Sequence, residues 1–307
     1  MADYNSSYTG SQIDTAVGRS LNPDSTPTAD SNSLVSSGGV ASAVSAVQNT
    51  VSRRNLLDNP WFTVNQRGQN SYTGNAYTVD RWRFQNNSGT CSVVSGGITF
   101  SNSASGYGYF TQILDFTMDG AKTYTLSVIA DGQVYSAQSG DNITLASGLL
   151  IYFANSSQIS IRVPGSLNSS EVISAVKLEL GSVSTLANDA PPNYAEELAK
   201  CQRFYWNANL SSTNLGIFGG VAGSQGGSFS LTIPTPVPMR AVTPTITAGV
   251  QFVRGNGSSI TGYTLSTANA AVMNGFIYGI ALDKSSGYTA YQSYYAALNE
   301  LKVSCDL

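Results

Sequence analysis

The chain has 307 residues, a formal net charge of −3, only 11% charged residues and no histidine. That length accommodates two compact domains. The missing imidazole excludes a Ser-His-Asp triad, a Cys-His dyad and His-based zinc sites, and the net charge of −3 argues against a nucleic-acid partner, which would need a basic face.

In chain order, residues 1–52 are dominated by small polar side chains. A short helix is expected over Ser11–Gly18, with Ser11 as N-cap and Gly18 as stop. A linker rich in Pro, Ser, Thr and Asp follows over 21–33. Val40, Val44, Val47 and Val51 then step by four, three and four, the apolar spacing of a coiled-coil seam. A short oligomerisation helix is the sharper reading of that spacing; an amphipathic helix packed on its own domain is the plainer one.

From Arg54 to Phe84 the sequence reads as a turn at Asn59-Pro60, a short strand, a polar loop and a second strand. In Trp82-Arg83-Phe84 the aromatics alternate with a charge, which places both on one strand face. Trp61 and Trp82 read as core. Further strands are expected over 91–94, 98–100, 107–114, 123–130, 141–145, 149–153, 158–163 and 172–180. Tyr124–Val128 and Ile159–Val163 alternate, giving one buried and one wet face. Pro191-Pro192 marks a boundary, and Ala195–Trp206 reads as a helix with Glu196 and Glu197 favoured by its dipole. A second β-rich unit, including an alternating strand at Ser228–Ile233, occupies 207–307.

Three separated stretches carry a family resemblance. "NLLDNPWF…NQRG…YTVDRW" resembles the opening of a carbohydrate-binding-module-like jelly roll that recurs in bacteriophage fibre proteins. Ala175–Gly181 resembles its last strand, and Tyr194–Tyr205 the helix that leaves it. "TPTADSNSLVSSGGV" and "IPTPVPMRAVTPTIT" resemble segments of such fibres. The match covers about half the chain. It implies an all-β fold: an N-terminal anchor with a short helix, a jelly-roll β-sandwich, a bridging helix and a C-terminal β-sandwich-like tip. The implied domains are 1–52 for virion attachment and oligomerisation, 53–194 for the jelly roll, 195–206 for the helix and 207–307 for the tip.

Candidate chemistry is sparse. Glycoside hydrolysis needs two carboxylates flanking one bond. Asp58, Asp80, Asp115, Asp119, Glu171 and Glu179 read instead as turn, solvated or ion-paired residues, so no catalytic residue is assigned and the chain is read as a non-enzyme. Cys91, Cys201 and Cys305 form no CxxC motif and read as free thiols. No cofactor is expected, and the resemblance leaves room for a structural Ca²⁺ on Asp, Asn and backbone oxygens. Tyr263, Tyr278, Tyr288, Tyr291 and Tyr294 are the candidate receptor-binding residues, because a tyrosine offers a flat apolar face and a hydroxyl. Val40, Val44, Val47 and Val51 are the candidate oligomerisation residues.

The expected protein is thus a virion fibre, trimeric, adsorbing to a host surface glycan or protein. It is expected to be made in the host cytoplasm without a signal peptide, to contact other virion proteins through 1–52, and neither to bind nucleic acid nor to insert into a membrane. A head fibre or capsid decoration, and a polysaccharide-cleaving tailspike, are the alternatives.

Overall fold

The structure is a computed structural model. It describes residues 7–21, 23–25, 27–28, 34–50, 53–85, 89–208, 216–221, 227–240, 244–254, 264–266, 271–273, 275–284 and 293–306. For 46, 48–50, 216–221, 227–231, 249–254, 264–266, 272–273, 278–284 and 293–299 it describes the backbone alone. Two compact units emerge, one of Met1–Arg54 with Val183–Asp189 and one of Asn55–Ser182 with Ala190–Leu307.

The first unit holds α1 (Gly10–Leu21) and α2 (Ser37–Thr50). The cap of α1 is Thr9, not Ser11. The Gln12 N–H donates to Thr9 Oγ1 (3.3 Å) and the Thr9 N–H to Gln12 Oε1 (2.8 Å), a reciprocal capping box. Gly18 does not stop α1; an interior glycine costs a helix only about 1 kcal/mol, and three more residues follow it. Helix α2 starts before the glycine pair, because the Gly39 N–H donates to Ser36 Oγ (3.0 Å). Val40, Val44 and Val47 are 49%, 49% and 61% exposed on α2, so none of the three is buried in this chain's own core. Val51 lies outside the described residues.

The second unit is built of strands. Its first part comprises β1 (Ser71–Thr73), β2 (Ala76–Tyr77), β3 (Arg83–Gln85), β4 (Gly89–Val94), β5 (Gly97–Asn102), β6 (Gly108–Ile113), β7 (Tyr124–Ala130), β8 (Gln133–Gln138), β9 (Asn142–Thr144), β10 (Leu150–Asn155), β11 (Gln158–Val163), β12 (Leu167–Asn168) and β13 (Ile173–Leu180). One sheet runs β1-β4-β5-β13-β7-β8 with β12 beside β5; the other runs β2-β3-β6-β11-β10-β9. Together they form a sandwich with one shared core.

An aromatic spine fills that core. Trp82 stacks on Phe110 at 5.1 Å and 4°, Phe100 meets Phe110 edge-on at 5.0 Å, and Phe62 tilts against Trp82 at 5.4 Å. Trp82 and Phe84 are both fully buried, as their alternation requires. Trp61 is only half-buried, contrary to its reading as core. The neighbouring Phe62 takes the core place, on a backbone turned to φ 56°. Gly89 and Gly108 flank the Phe84 ring; a Cβ on Gly89 would stand 2.0 Å from it.

Helix α3 (Tyr194–Gln202) is shorter than its expected span. Asn193 caps it, accepting from the Ala195 N–H at 2.9 Å. It ends because Tyr205–Asn207 are taken up by a sheet as β14. There follow β15 (Gly216–Val221), β16 (Gly227–Pro234), β17 (Thr245–Arg254), β18 (Thr264–Ser266), β19 (Ala271–Met273), β20 (Phe276–Lys284) and β21 (Ser293–Ser304). Strand β21 has β14 and β15 along one edge and β17 along the other. Strand β20 is central to a second sheet, with β16 on one side and β18 and β19 on the other. The chain is therefore a mostly antiparallel all-β protein.

Candidate functional site

The Arg54–Phe84 stretch builds a buried joint. Among the described residues, three of the five non-glycine positions with positive φ lie in it: Asn59 (49°), Phe62 (56°) and Arg81 (72°). Asn59 is the centre. Its side chain donates to the Val64 and Asp80 carbonyls (2.8 and 3.0 Å) and accepts from the Val64 N–H (2.9 Å). Its backbone N–H donates to Glu197 Oε2 of α3 (2.9 Å), and its carbonyl accepts from the Trp82 indole (3.1 Å).

Ionic and aromatic contacts complete the joint. Asp80 accepts from the Gln66 N–H (2.6 Å) and Nε2 (2.8 Å), and Gln66 Nε2 also donates to the Tyr205 carbonyl (2.7 Å). Arg67 pairs with Asp306 and lies 3.8 Å over the Tyr205 ring. Arg81 donates to Asp58 (3.0 Å) and lies 3.4 Å over Phe204. Asp115 meets Arg240 (2.7 Å) and Arg203 (3.5 Å). Burial raises the Asp80 carboxyl to about 6, against the hydrogen bonds from Gln66 and the Arg67 charge. Burial also raises Asp306.

The remaining candidates for chemistry are similarly engaged. Asp119 pairs with Lys122 (3.7 Å), Glu179 with Lys177 (3.8 Å), and Glu171 accepts from Ser147. The three cysteines are buried and free, and burial pushes the Cys91 and Cys201 thiols up, so neither is a thiolate. Among the described residues no three His, Cys, Asp or Glu side chains group closely enough to hold a metal.

A second arrangement faces solvent. On the six-stranded sheet, Phe84, Phe110, Ile151, Ile159 and Ile161 point into the core. Their neighbours one residue away point out, since side chains alternate along a strand. Register aligns these outward residues into two rows. The first crosses the sheet as Tyr77, Arg83, Thr111, Ser160, Tyr152 and Asn142. The second crosses it as Gln85, Tyr109, Arg162, Leu150 and Thr144.

The face has relief. Thr111 and Ser160 are each only 1% exposed, a floor of small side chains beneath half-buried Tyr109, Tyr152, Arg83 and Arg162. Arg162 lies 4.5 Å over the Tyr107 ring, and Arg83 lies 5.8 Å from the Tyr77 ring centre and donates to Asn75 (3.1 Å). Burial raises the Tyr152 hydroxyl, as does nearby Tyr109, against a hydrogen bond with Ser160 and the Arg162 charge. It is thus a protonated donor at neutral pH. Rigid aromatic faces, hydroxyls, carboxamides and guanidiniums on a sheet are the chemistry of polyol recognition.

Two of the tyrosines expected to contact a receptor are placed elsewhere. Tyr278 lies on β20 opposite Ala271, and Tyr294 on β21 opposite Gly220 and Arg254, in different sheets. Tyr263, Tyr288 and Tyr291 lie outside the described residues. Tyr77, Tyr107, Tyr109 and Tyr152 are functional candidates that the sequence reading missed. Their signal was available in Tyr109-Phe110 and in the alternation of β11, where each core residue implies an outward neighbour. No family model matches the chain, nor does any curated protein or solved structure.

Proposed function

We propose that this protein is a bacteriophage virion fibre that adsorbs to host surface glycan through the outer face of its six-stranded sheet. The observation that carries the reading is the pair of registered rows, which place Tyr109, Tyr152, Arg83 and Arg162 around a floor of Thr111 and Ser160. A sugar ring stacked on tyrosine leaves its hydroxyls to the hydroxyl, carboxamide and guanidinium donors beside it. The fibre motifs in the sequence supply the virion context. The carboxylates favour binding over cleavage, because Asp58, Asp80, Asp115, Asp119, Glu179 and Glu197 each sit in an ion pair.

The exposed valines of α2 supply the route to a trimer, since a helix with an uncovered Val40, Val44 and Val47 stripe lowers its free energy by pairing with copies of itself. Three weak glycan sites on one particle then add through effective concentration.

Adsorption measured on host cells tests this. Tyr109→Ala with Tyr152→Ala is expected to weaken binding at least about tenfold, the loss that removing a central aromatic contact brings. Equal binding by this variant would overturn the assignment of the face. Immunogold labelling with an antibody to residues 207–307 tests the virion reading, which fails if no particle is labelled.

A further inference from the structure

We infer that the glycan taken by this face is anionic: a repeating polymer whose units carry a carboxylate or a phosphodiester. The inference rests on the glycan reading above and goes on to name the ligand's charge. Neither row contains an aspartate or glutamate, and each contains one arginine. This is not a matter of composition, because the chain as a whole carries a net charge of −3.

The arginines of the second unit whose side chains are described divide by use. Arg67, Arg81, Arg203 and Arg240 are each within an ion pair with an aspartate. Arg83 and Arg162 have no carboxylate partner among the described residues. They are instead positioned by neutral groups, Arg83 by Asn75 and Arg162 by the Tyr107 ring. A guanidinium has five N–H donors. Arg83 gives one of them to Asn75 and keeps a side of its fork for an incoming anion. Arg162, with its Cζ held 4.5 Å over the Tyr107 ring, likewise has N–H donors for a bidentate carboxylate or phosphate.

Spacing selects a polymer. The two arginines stand two strands apart and two residues apart along the strands. At about 4.8 Å per strand and 3.4 Å per residue their Cα atoms are about 12 Å apart. One small acid cannot meet both guanidiniums across that span, but successive charges of a chain can. On the strand between them stand Thr111 and Tyr109, the latter a stacking surface for an intervening ring, while Tyr152 continues the face one strand beyond Arg162. Two cations on an otherwise neutral face are too few to follow a nucleic-acid backbone, which argues for a glycan over DNA.

Biolayer interferometry on the full chain tests the inference, with four immobilised polymers: polygalacturonate, poly(glycerol phosphate), neutral dextran and single-stranded DNA. The expected result is binding to polygalacturonate or to poly(glycerol phosphate), and which of the two binds identifies the source of the charge. Arg83→Gln with Arg162→Gln is expected to weaken it at least about tenfold, as is raising NaCl from about 0.05 M to about 0.5 M. Arg162→Lys is expected to keep the salt dependence while losing affinity. Equal, salt-insensitive binding to dextran that Tyr109→Ala still abolishes would overturn the charge inference and leave the glycan face standing. Equal binding to DNA would overturn it too, as unselective polyanion capture. No binding to any polymer, or binding untouched by Tyr109→Ala, would overturn the face itself. The substituted side chains are half-buried, and an unchanged unfolding midpoint shows that each variant has folded.

Discussion

Asn59→Ala tests the joint most directly. The substitution removes three side-chain hydrogen bonds at a site with no solvent exposure. It strips the Val64 N–H and the Asp80 carbonyl of their Asn59 partner, at about 1–3 kcal/mol for each buried orphan. It also holds an alanine at φ 49°, which asparagine tolerates and alanine does not, for about 1–2 kcal/mol more. The sum is about 3–8 kcal/mol, against the roughly 5–15 kcal/mol by which a domain is stable. Urea unfolding followed by tryptophan fluorescence and far-UV circular dichroism measures it. Asn59→Gly separates the terms, because glycine carries no penalty at positive φ and should recover about 1–2 kcal/mol relative to alanine. A loss of under about 1 kcal/mol for Asn59→Ala would refute the claim that this side chain holds the joint.

The Asp80 carboxyl, raised by burial to about 6 from an unfolded value of 3.8, is protonated in the folded state where the unfolded chain has lost its proton. Its contribution is therefore fully present below about pH 4 and is lost as pH rises through 6, by about 3 kcal/mol in all. Asp80→Asn should flatten that part of a stability-versus-pH curve; an unchanged slope between pH 4 and 6 would be evidence against it. Gly89→Ala places a methyl 2.0 Å from the Phe84 ring and should cost about 1–3 kcal/mol in thermal unfolding, partly relieved by Phe84→Leu. Val44→Asp should turn the proposed trimer into monomers in sedimentation without moving the unfolding of the sandwich, and a trimer that survives it would remove α2 from the assembly.

Much of the strand pattern was legible because alternation is a local property. Strand β11 falls on residues 158–163 as read, since Ile159, Ile161 and Val163 alternate with Gln158, Ser160 and Arg162. Strand β8 was not seen, because it is an edge strand exposed on nearly every residue and carries no such contrast. Its signal lay instead in the turn before it, Asp131-Gly132, where φ is 46° and 78°. The candidate face was half legible. Alternation shows that Tyr109 and Arg162 point away from the core, but only strand pairing shows that they are opposite each other. The joint was the least legible part. Asn59 reads locally as a turn residue, and nothing near it in sequence announces Glu197. Helix α3 was overextended for a related reason: Phe204 and Tyr205 suit a helix stripe, but β21 offers them backbone partners that a helix cannot.

The pairing of Arg67 with Asp306 spans 239 residues. At a synthesis rate of about 5–20 residues per second, roughly 10–50 s pass between the appearance of the arginine and of its partner. Domains fold as units while the rest of the chain is still being made. The sandwich strands, complete with β13 at Leu180, are thus synthesised before Asp306 exists to pair with Arg67. The β14 and β21 strands arrive later and bring Tyr205 and Asp306 to that corner. Translation order thus puts the closure of the joint after the synthesis of the sandwich strands, and the groups that wait for it, Gln66, Arg67 and Asp80, are polar ones that water can satisfy meanwhile.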